Sequence, residues 1–235
     1  MREISKVIIV LFMVCAARGN LIIDDFSAPA TQDTCLISLL DLDPTVMETT
    51  DPGIIGGERD ILIDVVGTPS LVSFTGAIGD EEFIFNSGTP GTAAILQYDG
   101  EDTDTAGPPS GLVNSEGLGG IDMASIGSFF YLDFLSIEGG LSQATDIEIE
   151  VHNNADVATY TGLIPDSAVA LSYEVDFVDF SNPSVFSNVT SIEMRINPAG
   201  APQVDFVLEE IGVPEPATIA LLGLGGLGLL RRKKT

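Results

Sequence analysis

The densest oxygen chemistry in the chain is D-G-E-D-T-D at residues 99–104, where Asp99, Glu101, Asp102 and Asp104 place four carboxylates within six positions. Clustered carboxylates in a loop suit Ca²⁺, which takes six to eight oxygen ligands in loose geometry. The run begins like a calcium loop, with Asp102, Asp104 and Gly107, then departs from it: Ala106 and Val113 stand where oxygen ligands belong. An EF-hand is excluded, and a looser oxygen cage, with calcium as the one candidate cofactor, is the expectation. Tyr98 adjoins the run and is the candidate aromatic platform for a sugar ring, in a chain with four Tyr and no Trp. Catalytic constellations are poor. His152 is the sole histidine, which leaves little for a Ser–His or Cys–His nucleophile and nothing for a histidine-rich zinc site. No carboxylate pair is singled out for glycoside hydrolysis, so the chain reads as a non-enzyme.

A second constellation closes the chain. Pro214, Glu215 and Pro216 are followed by the uncharged run 219–230 and then by Arg231, Arg232, Lys233 and Lys234. The prolines stop helix and central strand alike. Twelve residues of helix reach ~18 Å, short of the ~30 Å hydrocarbon core. With flanking residues and snorkelling side chains the run can still span a thinned bilayer as a short C-terminal transmembrane helix. The four cations act as a membrane stop on the cytoplasmic side. At the other end, a basic start, the apolar run 7–17 and small residues to Gly19 form a Sec signal peptide. The expected organisation is therefore 1–19 signal peptide, 20–212 body and 213–235 sorting tail.

Stripped of both ends, the body keeps two of nine cations, Arg59 and Arg195, and 33 of 35 acids, a formal charge of −31. Such a surface repels phosphate backbones, which excludes nucleic acid as a partner. Arg59, beside Glu58 and Asp60, and Arg195, near Glu193, are expected to anchor structural ion pairs. One cysteine, Cys35, survives removal of the signal, so no intramolecular disulfide forms.

The elements that must position these residues read as short strands. Segments 21–26, 61–66, 71–75, 82–85, 93–98, 129–135, 145–151, 157–161, 169–177, 191–196 and 203–211 are rich in β-formers and bounded by Gly, Pro, Asn and Asp. T-D-I-E-I-E-V at 145–151 alternates with period two, and F-F-Y-L-D-F-L at 129–135 is apolar enough for a central buried strand. Many short strands without a fixed repeat imply an all-β antiparallel β-sandwich, a jelly roll. The longest connection is 99–120.

V-P-E-P-A-T, the apolar run and R-R-K-K resemble the bacterial PEP-CTERM protein-sorting signal. That resemblance implies an exosortase that recognises Pro214, Glu215 and Pro216 and removes the tail. It also implies export by the Sec machinery, transient residence in the inner membrane, and deposition at the cell surface or in the exopolysaccharide matrix. L-I-I-D-D-F, I-I-G-G-E-R-D and D-F-V-L-E-E-I are similar to the framework of galactose-binding-like jelly rolls, several of them carbohydrate-binding modules. This second resemblance implies adjacent first and last strands, with a structural Ca²⁺ near them using Asp24 or Asp25 with Asp205. The expected role is structural or adhesive, and the alternative is a module that binds an extracellular polysaccharide. A melting temperature that rises in excess calcium and falls in chelator is the expected outcome for either calcium site; an unchanged one removes both.

Overall fold

The structure, a computed structural model, describes residues 20–27, 34–37, 45–65, 74–79, 81–87, 91–100, 117–140 and 143–215. The signal segment 1–19, most of the acidic loop and residues 216–235 lie outside them. Among the described residues, no helix is long and apolar enough to cross a membrane.

Two antiparallel sheets face each other. Sheet A contains β1 (Leu21–Asp24), β2 (Thr34–Ile37), β5 (Phe74–Gly79), β6 (Glu82–Asn86), β8 (Phe129–Gly139), β11 (Leu171–Asp176) and β13 (Val204–Val213). Sheet B contains β3 (Thr45–Thr50), β4 (Glu58–Val65), β7 (Thr92–Tyr98), β9 (Ala144–Asn153), β10 (Asp156–Pro165) and β12 (Ser191–Ile196). Their orders are β11-β8-β13-β6-β5-β2 and β10-β9-β12-β7-β4-β3. Across the eight strands β6 to β13 this is a doubly wrapped hairpin: β6 neighbours β13, β7 neighbours β12, β8 lies beside β11 and β9 beside β10. That is the connectivity of a jelly roll, extended at one edge of each sheet by β5 with β2 and by β4 with β3.

Alternation builds the core. On β9, Ile147, Ile149 and Val151 are buried while Asp146, Glu148 and Glu150 face outward, as the sequence pattern requires. On β13 an extra residue, Glu209, interrupts the register with β8, so Leu208 and Ile211 both reach the core. Phe83, Phe85, Phe134 and Phe206 pack at 4.9–5.9 Å between centroids in sheet A. Phe130, Phe177, Phe180 and Phe186 form a second aromatic group. β8 is interior but second from the edge; the centre of sheet A is β13. Tyr131 is buried, 7% exposed, but stands outside the main core cluster, on the face of sheet A opposite Phe130 and Leu132.

The first and last strands pair, as expected: Leu21 opposes Val213 and Ile22 opposes Gly212. β13 thus has β8 along one edge and, along the other, β6 at Asp205–Leu208 and β1 at Ile211–Val213. A register shift between Ile22 and Asp24 lets Ile23 and Asp24, adjacent in sequence, both turn inward. There Asp24 meets Arg59 of β4 and Tyr98 of β7, so one carboxylate of sheet A is held by two strands of sheet B. Arg59 Nη1 donates to both carboxylate oxygens at 2.8 and 2.7 Å, Tyr98 Oη donates at 3.1 Å, and the Phe26 backbone N–H donates at 2.8 Å. Phe26 reaches that position with φ of 52°, a left-handed conformation that costs a bulky residue ~1–2 kcal/mol. The Arg59 guanidinium lies 5.1 Å from its ring centroid.

Arg59 is completely buried, and its guanidinium is paired with Asp24 of the opposite sheet. Replacing Asp24 by Ala strands a buried guanidinium and is expected to cost about 3–5 kcal/mol, whereas Asp24→Leu with Arg59→Met recovers most of the loss. Denaturant melts of the two variants check this; equal destabilisation by both shows that the pair's charges are not what holds the sheets.

Candidate functional site

Of the four acids of the run, Asp99 alone lies within the described residues. Asp99 follows β7 and is buried, 3% exposed, while Glu101, Asp102 and Asp104 lie outside the description. No group of three His, Cys, Asp or Glu among the described residues is placed to hold a metal. Asp25 forms a local turn, its Oδ1 accepting from the Ser27 N–H at 3.0 Å and from the Ser27 hydroxyl at 2.6 Å. Asp205 opposes Asn86 and Glu138, six positions from Ile211, the register partner of Asp24. At ~3.3 Å per residue these termini are about 20 Å apart along the strand. Neither Asp24 nor Asp25 is therefore beside Asp205: closeness of strands did not mean closeness of these residues.

Tyr98 is likewise corrected as a sugar platform. It is 0% exposed, between the sheets opposite Ile192, with its hydroxyl on Asp24. Burial, then the Asp24 charge, pushes its phenol well above the ordinary value, so it remains a neutral donor.

The outward face of sheet B carries two polar rows in which Asp60, Gln97 and Glu193 are buried and Arg195, Glu148, Glu150 and Thr159 are half-buried. Register aligns Asp60, Gln97, Glu193, Glu150 and Thr159 across β4, β7, β12, β9 and β10. The next row aligns Leu62, Ile95, Arg195, Glu148 and Thr161. Glu193 joins the rows, accepting from Gln97 Nε2 at 3.0 Å through Oε2 and from Arg195 Nε through Oε1. Arg195 and Glu193 are two apart, hence on one face, and this pair was legible in the sequence. Glu193, with Glu150 and Glu148 behind it, holds the Arg195 guanidinium above its usual value against the opposing effect of burial. His152, one residue from the end of β9, has Nε2 at 3.8 Å from Glu150 Oε2. It opposes Ser191, whose fully buried hydroxyl has no hydrogen-bond partner among the described residues. A nucleophile relay needs a Ser–His hydrogen bond and a separate acid on the other ring nitrogen, and this arrangement supplies neither.

The other candidate is the exit of the chain from the body. Tyr131, on the outer face of sheet A, lies over Gly212, where a Cβ would come within 2.5 Å of its hydroxyl. That hydroxyl donates to Glu210 Oε1 and accepts from Asn20 Nδ2 at 3.5 Å. Burial first, then the Glu210 hydrogen bond, pushes its phenol upward. The beginning of the body, its last strand and β8 thus meet at one side chain. Beyond Val213, which is fully buried, Pro214 is half-buried and Glu215 exposed. Pro216 and the membrane-stop residues Arg231, Arg232, Lys233 and Lys234 lie outside the described residues. Nothing marked this exit in sequence except the Pro-Glu-Pro itself; Gly212 and Tyr131 are 81 positions apart.

Residues 212–234 match the PEP-CTERM protein-sorting motif. The motif implies processing by an exosortase and, with it, export and transient membrane anchoring. No curated protein is detectably similar in sequence. Solved structures with similar coordinates include a family 11 carbohydrate-binding module from Clostridium thermocellum in complex with a mixed-linked tetrasaccharide. It is 14% identical, with a TM-score of 0.38 over 85% of this chain and 98% of that one. A variant of a family 29 carbohydrate-binding module is 15% identical, TM-score 0.35, over 66% and 85%. An exo-β-agarase is 14% identical, TM-score 0.40, over 84% of this chain and 25% of that chain. Superpositions this loose assign no ligand to either face.

Two carboxyls titrate against the usual direction. Burial pushes Asp24 up, with Arg59 opposing it; burial also pushes Asp205 up, and repulsion from Glu138 adds to it. Each therefore binds its proton more tightly folded than unfolded, so stability rises as pH falls from the folded value toward ~3.9. Relief of self-repulsion in the −31 body acts in the same sense. The melting temperature is expected to rise as pH is lowered through the range just above ~3.9, and scanning calorimetry showing a fall there would sink this account.

Proposed function

We propose that the chain is an exosortase substrate whose sandwich body is deposited at the cell surface or in the exopolysaccharide matrix, where its role is structural or adhesive and non-catalytic. The observation that carries this reading is the direct continuity of the body's central strand β13 with the sorting motif: the match begins at residue 212, the strand ends at Val213, and the Pro-Glu-Pro starts at the next residue. In this reading the Sec machinery exports the chain under its N-terminal signal and the inner membrane holds the tail until the cut.

The charge of the body narrows its partners. Its two cations are engaged, Arg59 with Asp24 and Arg195 with Glu193, and neither is available to gather phosphates or acidic sugars. An acidic surface of this kind associates with like-charged matrix through divalent cations, and calcium is the cation we assign to that bridging. The mode is distributed and weak per contact, and its strength comes from many molecules in one matrix.

A second reading rests on the outer face of sheet B. The buried Glu193 fixes the half-buried Arg195 beside Glu148, Glu150, His152 and Thr159, a pre-ordered set of donors and acceptors of the kind that fixes sugar hydroxyls. Here the body is a module that recognises an extracellular glycan. Saturable binding to one glycan, lost in Arg195→Ala with the fold intact, separates it from matrix association that depends on calcium and ignores glycan identity.

The deciding experiment is intact mass and fractionation from the native host, comparing the natural chain with Pro214→Ala/Glu215→Ala/Pro216→Ala. The natural chain is expected in the medium or matrix without its tail, and the triple variant uncut in the inner membrane. A triple variant processed like the natural chain would overturn the sorting reading.

A further inference from the structure

Gly127 sits where no backbone requirement calls for a glycine. Its φ of −157° and ψ of −169° are extended and open to any residue. What excludes a side chain is space: a Cβ there would run into the Pro214 carbonyl oxygen and lie 2.5 Å from Val213 Cγ1. Both obstacles belong to the junction between the body and the sorting motif. The carbonyl is backbone and cannot swing aside as a flexible side chain would.

The residue is also firmly mounted. It caps the one-turn helix α1 (Met123–Ile126), its N–H donating to the Met123 carbonyl at 3.0 Å. Asp122 caps the other end by accepting from the Ser125 N–H at 3.1 Å. Met123 is fully buried, and Ile121 is bridged to Val189 by hydrogen bonds of 2.8 Å in each direction. Two residues beyond Gly127, β8 begins and runs beside β13. The glycine is therefore a fixed wall against which the Pro214 peptide lies.

Upstream of that wall the chain is locked. Gly212 opposes Ile22 on one side and Tyr131 on the other, and Val213 opposes Leu21. A protease must take its substrate as an accessible, locally open segment, and a strand paired on both edges within a core opens only at a large fraction of the global unfolding cost. Glu215 is the first exposed residue after β13.

We infer that Gly127 is a positioning residue for tail removal: it seats the Pro214 carbonyl, fixes the direction in which the sorting motif leaves the body, and confines the cut to a bond beyond Pro214. The inference rests on the exosortase reading and adds a body residue to what the enzyme meets. The released body keeps Pro214 as its stub. Where the seat is filled, the motif leaves at a different angle and the enzyme meets a misplaced bond.

The full-length chain, expressed in its native host, tests this by pulse-chase with intact mass as readout. Gly127→Ala is expected to slow processing by about a hundredfold, the order of loss that misplacing a reacting bond by an ångström can cause. The melting temperature of the uncut variant controls for folding. Because Gly127→Ala can also disturb β13, a second variant leaves the body untouched: two glycines inserted between Val213 and Pro214 keep the motif whole but lift Pro214 off its seat. Slow processing of the insertion variant, with a natural-chain product whose mass includes Pro214, supports the seat. Processing of that variant at the natural rate or faster overturns it, as does a product ending at or before Val213. The triple Pro-Glu-Pro variant separates the two levels. If it stays uncut while the insertion variant is cut normally, only the seat fails; if it too is cut, the sorting reading fails with it.

Discussion

A single buried carboxylate, Asp24, carries the dependence of the rest. β1 is four residues long, and its described ladder is the one with β13, too little pairing to hold an end strand against fraying. The charge-assisted bonds from Arg59 and the donation from Tyr98 tie it across the interior to two strands of the opposite sheet. Desolvating both charges offsets much of that attraction, so the pair adds little net stability beside a hydrophobic replacement. Its importance is directional. Once Asp24 is inside, its register with Ile211 is set, Phe26 must turn back through a left-handed conformation, and β1 closes the free edge of Ile211–Val213. The sorting junction inherits its rigidity from this interaction, through β1 and β13.

How much of this was legible depended on whether a feature was local. The strand β9 was readable because T-D-I-E-I-E-V states its own two faces. Alternation also fixed Arg195 with Glu193, two residues apart. It would equally have turned Tyr98 inward with Ala94 and Leu96, had its place beside an acidic run not suggested a mouth. β2 and β3 went unread: T-C-L-I is embedded in a longer apolar run, and T-V-M-E-T-T mixes strand formers with Met and Glu. The strand expected at 71–75 lies at Phe74–Gly79, where two glycines weaken the signal. The jelly-roll class followed from the number and spacing of strands. The Asp24–Arg59 contact spans 35 positions and depends on a bulge, and no local pattern announces either.

Function divides along the same line. The sorting motif is a linear signal, read by chemistry that contacts successive residues, so its three parts are complete in the sequence. A binding face is a two-dimensional object. Gln97, Glu150 and Glu193 sit on three strands, and register alone makes them neighbours. The calcium expectation failed to gain support at Asp25 and Asp205 for the converse reason: pairing of two strands was right, but the offset along them was left out.

The order of the strands adds a constraint on how the body and its tail work together. β13 is the last strand made and the most connected, bordering β8, β6 and β1. Sheet A is closed by the pairing of Val213 with Leu21, a contact between the first and the last strand and among the most non-local of the fold. The sorting motif begins where that strand ends. Cutting beyond the locked strand then separates a closed body from its anchor. A cut inside β13 would instead remove the partner of β1 and leave the Asp24–Arg59 pair holding a strand with no ladder.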